Sequence, residues 1–176
     1  KITIDGVIYN YNQSYAGPIY QVLVFEVQDL ANDSHTVTLE NNAGTGNVEI
    51  DALDIDDTGY LLASIGNVLD NPEAGWQRVD DTDSHIVYNG AGWSHVTEAG
   101  HYNNTQSFNN TTTSDYTFKF YGTKLRIISA VHPVWSNDIN ITIDGNTEPF
   151  SAYDTALQFQ TLVYEKTGLT ESVHTV

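Results

Sequence analysis

The chain has 176 residues, 40% of them apolar, no cysteine, and 23 acidic against 6 basic side chains, for a net charge of −17. That length supports one proper core or slightly more, and the charge repels phosphate backbones and anionic bilayers, which argues against nucleic acid or a membrane surface as partner. Without cysteine there are no disulfide staples and no thiolate metal site, and no apolar run is long enough to insert into a membrane.

Taken from the start, "ITIDG" (2–6) is a short strand closing on an Asp-Gly turn signal. In "NVEIDALDIDD" (47–57) the inward set Val48, Ile50, Ala52 changes phase to Leu53 and Ile55. That predicts a strand with a β-bulge and leaves Glu49, Asp51 and Asp54 on its outer face. The stretch 58–75, with the apolar centre "LLASIGNVL", is too greasy for a free linker and is expected to pack as a join between domains. The run 97–114 is rich in Gly, Asn, Ser and Thr and reads as a long loop. In "SDYTFKFYG" Tyr116, Phe118 and Phe120 share one face, and after the Gly122-Thr123 break Leu125 and Ile127 alternate with Lys124 and Arg126. These are half-buried antiparallel strands. No stretch has the period of a long amphipathic helix, so the expected class is all-β, a two-sheet sandwich.

"ITIDG" recurs at 141–145, and the match runs on without a gap at an offset of 139. Ile2 to Val37 falls on Ile141 to Val176 with 13 identities in 36 positions, including Leu23-Val24 over Leu162-Val163 and His35-Thr36-Val37 over His174-Thr175-Val176. Chance does not produce that register. The chain reads as about one and a quarter periods of a tandem array with one domain per repeat. Residues 1–57 are then the closing half of one repeat, 58–75 the join, and 76–176 the opening two-thirds of the next. Two arrangements remain open: 1–57 closes the sandwich begun by 76–140 and leaves 141–176 surplus, or neighbouring repeats complete each end.

The segments "ITIDG…YQVLVFEVQDLANDSHTVTLE…NVEIDALDID" and "GWQRVDDTDSHIVYNGAGWSHV" (75–96) resemble, in order and spacing, the galactose-binding-like jelly-roll and carbohydrate-binding modules of bacterial, archaeal and phage surface proteins. The resemblance implies a jelly-roll sandwich without catalytic machinery, often glycan-binding and often holding a structural calcium between its opening and closing strands. By that analogy Asp80, Asp81 and Asp83 of "VDDTD", joined by Asp51 or Asp54, are the candidate calcium ligands, hard oxygen donors of the kind Ca²⁺ takes. Solvated turn aspartates are the plain alternative.

Glycan sites stack rings on sugar faces, and the candidates are Trp93, His101, Tyr102 and Trp135. Trp93, in a Y-x-G-x-x-W pattern with Tyr88 and Gly90, is weighed against a place in the core. Asn12, Asn32, Asn103, Asn109, Asn110 and Asn140 begin N-x-S/T sequons, which suits an extracellular, cell-surface or virion-surface protein, although an Asn-rich chain makes some by accident. No nucleophile-elbow, H-E-x-x-H or phosphate-cradling motif appears, so no enzyme is expected. His35 and His174, at equivalent positions ahead of a strand, read as structural residues. The expected function is a structural or adhesive repeat of a filament, tail fibre or surface protein whose partners are neighbouring copies of itself. The alternative is a carbohydrate-binding module gaining avidity from repetition.

Overall fold

The computed structural model describes residues 1–14, 16–42 and 48–176. It divides into two compact units, Lys1–Tyr60 and Leu61–Val176, the boundary falling inside the apolar 58–75 stretch.

Unit 1 is a small antiparallel sheet of β1 (Ile2–Ile4), β2 (Val7–Tyr9) and β3 (Val37–Leu39) in the order β2-β1-β3. Asp5 and Gly6, at φ 48° and 84°, make the two-residue turn between β1 and β2. Both positions need φ > 0, which is why the sequence reads Asp-Gly there. Among the described residues of the unit Ile4 is the buried apolar one, and Tyr9 and Tyr11 pack on Phe25 with ring centroids 5.5 and 5.9 Å apart. The strand expected at 47–57 is absent from its described part: Val48, Ile50, Leu53 and Ile55 are exposed in irregular backbone, and Asn47 lies outside the described residues. Alternation chooses a face only when a neighbouring strand supplies the ladder, and no described strand runs beside it.

Unit 2 carries ten strands: β4 (Val87–Asn89), β5 (Ser94–Thr97), β6 (Thr105–Phe108), β7 (Asp115–Thr117), β8 (Lys119–Gly122), β9 (Leu125–Val131), β10 (Ile139–Ile143), β11 (Asn146–Phe150), β12 (Gln158–Lys166) and β13 (Ser172–Thr175). They pair antiparallel as β4–β7, β5–β6, β8–β13, β9–β12 and β10–β11. The 97–114 loop is therefore shorter than its composition suggests, because Thr105–Phe108 pairs with Ser94–Thr97. Tyr116, Phe118 and Phe120 do share a face, their rings following one another at 6.3 and 6.4 Å.

The core of unit 2 centres on β10 and β12, with Ile141, Ile143 and Tyr164 packed by Leu125, Ile127, Phe150, Leu169 and Val176. β12 is central because both its edges are used. β9 lies on one side, and on the other the Gly66–Leu69 backbone exchanges hydrogen bonds with Gln160 and Leu162. Half of the apolar join is thus an edge of unit 2's sheet. Among the described residues there is no α-helix, only a 3-10 turn at Tyr102–Asn104, and no helix long and apolar enough to cross a membrane. The protein is all-β with antiparallel sheets throughout.

Candidate functional site

The two copies of the repeated sequence fold alike at the level of single dihedral angles. Positive φ occurs at Asp5, Gly6, Gln21 and Asp29 in the first copy and at Asp144, Gly145, Gln160 and Gly168, each 139 residues on, in the second. Three of these pairs include a residue other than glycine, for which the left-handed region is uncommon, so the coincidence reflects a shared backbone path. The hairpin registers agree as well: Ile2↔Tyr9 and Ile4↔Val7 correspond to Ile141↔Glu148 and Ile143↔Asn146. Tyr11–Phe25 at 5.9 Å and 48° is matched by Phe150–Tyr164 at 5.8 Å and 50°.

A histidine clasp closes each copy. His35 Nδ1 lies 2.6 Å from Asp5 Oδ2, its Nε2 lies 2.8 Å from the Ala31 carbonyl oxygen, and the Thr36 amide donates to Asp5 Oδ1 at 2.9 Å. In the second copy His174 Nδ1 meets Asp144 Oδ2 at 2.5 Å, Nε2 meets the Thr170 carbonyl at 2.9 Å, and the Thr175 amide donates to Asp144 Oδ1 at 2.9 Å. A ring facing acceptors at both nitrogens is best satisfied as the imidazolium. Accordingly the bond to the carboxylate, then the one to the carbonyl, raises each histidine above its ordinary 6.5, and the same contact lowers Asp5 and Asp144 below 3.8. The clasps fix the turn after "ITID" to the strand carrying His-Thr-Val. The sequence signal for the clasp is an Asp and a His thirty residues apart in both copies.

One contact distinguishes the clasps. His174 Nε2 also lies 3.1 Å from the Gly122 carbonyl of β8, and its ring packs on Phe120 at 5.1 Å. Among the described residues no strand stands to His35 as β8 stands to His174, and the His35 side chain is 22% exposed against 3% for His174.

The same asymmetry is larger along the apolar strand. In the second copy Thr161, Leu162 and Val163 are 1%, 0% and 4% exposed within β12; their equivalents Val22, Leu23 and Val24 are 52%, 74% and 44% exposed in backbone that forms no strand. Among the described residues no strand pairs with 19–27, whereas β12 is paired with β9. That strand also brings Arg126, whose side chain is 6% exposed, onto Glu165 at 2.5 Å and Glu73 at 2.6 Å, with the guanidinium 4.1 Å from the Trp76 ring. Arg126 was expected on an outer polar face; the 73–76 segment covers that face instead. Burial by itself would lower the guanidinium pKa, but the two carboxylates outweigh it and raise it. Glu26, the counterpart of Glu165, is exposed and accepts from Gln28 of its own segment. Within unit 2, β8 and β9 pair with β13 and β12, so 141–176 packs with 76–140.

The other candidates disperse. Asp81 accepts from Thr105 at 2.7 Å and Ser107 at 2.6 Å, Asp80 accepts from Thr105 Oγ1 at 3.2 Å and from the amide and hydroxyl of Thr82, and Asp83 pairs with His85 at 2.7 Å. Asp51 and Asp54 lie in unit 1, and among the described residues no three acidic or histidine side chains gather as metal ligands. Trp93 is half-buried against Tyr88 and Tyr116, its Nε1 donating to the Asn89 carbonyl at 2.9 Å. His101 packs on Phe159, Tyr102 lies beneath Arg78, and Trp135 sits edge-on to Phe108 at 6.1 Å. Of the sequon asparagines, Asn12, Asn32, Asn103, Asn110 and Asn140 are exposed, while Asn109 is half-buried and donates to the Ala91 carbonyl.

The fold and the clasps define an all-β antiparallel protein carrying one motif twice. Comparison with known protein families, with curated proteins and with solved structures found no match.

Proposed function

We propose that the protein is a non-catalytic structural repeat of an extracellular filament, tail fibre or cell-surface protein, a jelly-roll-type sandwich recurring every 139 residues and associating with neighbouring copies of itself. The observation that carries this reading is the pairing of one motif in two states: the second copy is sealed by β8 and β9, and the first presents the same apolar residues uncovered. A repeat that meets its neighbours through complementary surfaces has this form. Exposed Tyr60, Leu61, Leu62 and Ile65 at the unit boundary add apolar surface for the same purpose. The acidic, cysteine-free, sequon-bearing composition suits an extracellular setting.

Sedimentation velocity across a concentration series tests the reading. It predicts association that grows with concentration and persists in excess free sugars; a chain that stays single at all concentrations contradicts it. The glycan-binding alternative rests on the half-buried Trp135 ring. It predicts retention on a polysaccharide column, lost in Trp135→Ala, and fails if no glycan on a broad panel binds. Calcium enters only as a test: Asp80, Asp81 and Asp83 accept from hydroxyl, amide and histidine donors, and Asp51 and Asp54 lie in unit 1. If it is structural, a chelator lowers the melting temperature; an unchanged transition removes it.

A further inference from the structure

We infer that Arg78, with Tyr102 and His101 of the 100–104 loop, is a binding site for a small monocarboxylate on a hydroxylated body, a sugar acid being the simplest example. The site lies wholly in unit 2 and stands independently of the self-association reading. Its guanidinium keeps one edge open for the ligand.

The chain's two arginines supply the comparison. Arg126 donates from Nε to Glu165 and from Nη1 to Glu73, with its guanidinium over the Trp76 ring. Arg78 is mounted in the same way but without the acids. Its Nη1 donates to the Leu69 carbonyl at 2.6 Å and to Gln160 Oε1 at 3.1 Å, and its Cζ lies 5.5 Å from the centre of the Tyr102 ring. Among the described residues Nε and Nη2 have no partner, and no buried side-chain nitrogen is left without one, so this edge of the half-buried Arg78 is open to water. Nε–H and Nη2–H are a parallel pair that grips a carboxylate through two hydrogen bonds. Burial lowers the Arg78 pKa, whereas hydrogen bonds to two carboxylates outweigh burial and raise that of Arg126. A bound acid completes Arg78 as Glu165 and Glu73 complete Arg126.

The surroundings are held in place and carry further polar groups. Gln160 ties the site together, since its Oε1 accepts from Arg78 and its Nε2 donates to the Gly100 carbonyl at 3.1 Å. Gly100, at φ 97°, packs so closely on Phe159 that a Cβ would meet the ring at 2.7 Å. Asn103, Asn104 and Gln160 stand at φ 50°, 58° and 49°. Left-handed backbone at residues other than glycine persists where packing over-determines it, and it gathers at ligand clamps. The Tyr102 hydroxyl and both His101 ring nitrogens have no partner among the described residues and are likewise open to water. Burial lowers His101 below 6.5, so near neutral pH its ring offers one donor and one acceptor. That mixture suits hydroxyl groups next to the carboxylate. The net charge of −17 selects a ligand with one negative charge over a polyanion.

The test is an NMR titration of the full chain with isotope-labelled arginine, read at the two Nε–H resonances. That of Arg78 is identified by its contacts with the Tyr102 ring protons and by its loss in Arg78→Lys. D-Glucuronate is the probe, with acetate, D-glucose and chloride at matched ionic strength as controls. Glucuronate is expected to shift the Arg78 resonance saturably in the millimolar range and to leave Arg126, whose Nε is held by Glu165, where it is. Glucose and chloride should shift neither. Acetate, with no hydroxyls to meet Tyr102 and His101, should bind at least about threefold more weakly, and Tyr102→Phe should narrow that difference. No shift at Arg78, equal shifts at both arginines, or the same response to chloride overturns the inference. Equal affinity for acetate and glucuronate overturns the ligand class. An Arg78 resonance that moves with protein concentration before any acid is added places the carboxylate on a second copy of the chain, and overturns a free acid as the occupant.

Discussion

Leu23 and Leu162 occupy the same place in two copies of one motif, each two residues after a left-handed glutamine and just before a valine, yet one is 74% exposed and the other 0%. Local sequence sets the hairpins, the left-handed residues and the histidine clasps in both copies. It does not set burial of the apolar strand, which depends on β9, a partner from outside the motif. The comparison separates what a motif encodes in itself from what it requires of its neighbour.

The sharpest way to break this comparison is to truncate both leucines. Leu162→Ala should destabilise unit 2 by about 2–5 kcal/mol, the range for a sealed leucine replaced by a cavity. Leu23→Ala should change stability by less than about 0.5 kcal/mol. Equal effects in urea unfolding would show that the first strand is buried after all. Next in size, Arg126→Ala removes the shared partner of Glu73 and Glu165 and should cost about 3 kcal/mol, because carboxylates held against a covered surface lose their counter-charge. A hydrophobic replacement of similar length, Arg126→Met, should lose less.

The clasps sharpen the comparison through pH. Each histidine is raised above 6.5, so its contribution is fully present below that value and is lost as pH rises through the higher folded value. Each aspartate is lowered below 3.8, so its contribution is present above 3.8 and is lost as pH falls through the lower folded value. Stability from the clasps is greatest between these limits. His174→Gln should flatten the decline of melting temperature above pH 6.5, and His35→Gln should do so less, since His35 lacks the β8 contacts. The smallest expected effect is spectroscopic. Burial, then the hydrogen bond to Glu148, pushes Tyr164 up to about 12, and Glu148→Gln should bring its alkaline absorbance transition down toward 10.

Much of the fold was legible because its signals are local. Asp-Gly after three alternating residues specifies a hairpin wherever it occurs, and both copies make one in the same register. The aromatic face of 116–120 followed equally from period two. Over 48–57 alternation makes no strand because no described strand lies beside it, and no window of sequence reports whether a partner is present. Arg126 was misplaced for a related reason. A charged residue in an alternating strand looks solvent-facing until Glu73 and Trp76, fifty residues earlier, fold over it. At 80–83 composition does not reveal that Thr82, Thr105, Ser107 and His85 hydrogen-bond to the carboxylates, because only the fold brings 105–107 to them. Of the site, the repeat itself was visible at once, but its meaning came from exposure, which distinguishes two identical leucines.

Native-state hydrogen exchange on the full chain tests the central claim most directly. The account predicts that amides of 161–164 exchange slowly, held by β9 on one edge and by Gly66–Leu69 on the other, while those of 22–25 exchange at nearly the rate of an open chain. Slow exchange at 22–25 would mean that this segment is already covered, and the account of one motif in two states of burial would be wrong.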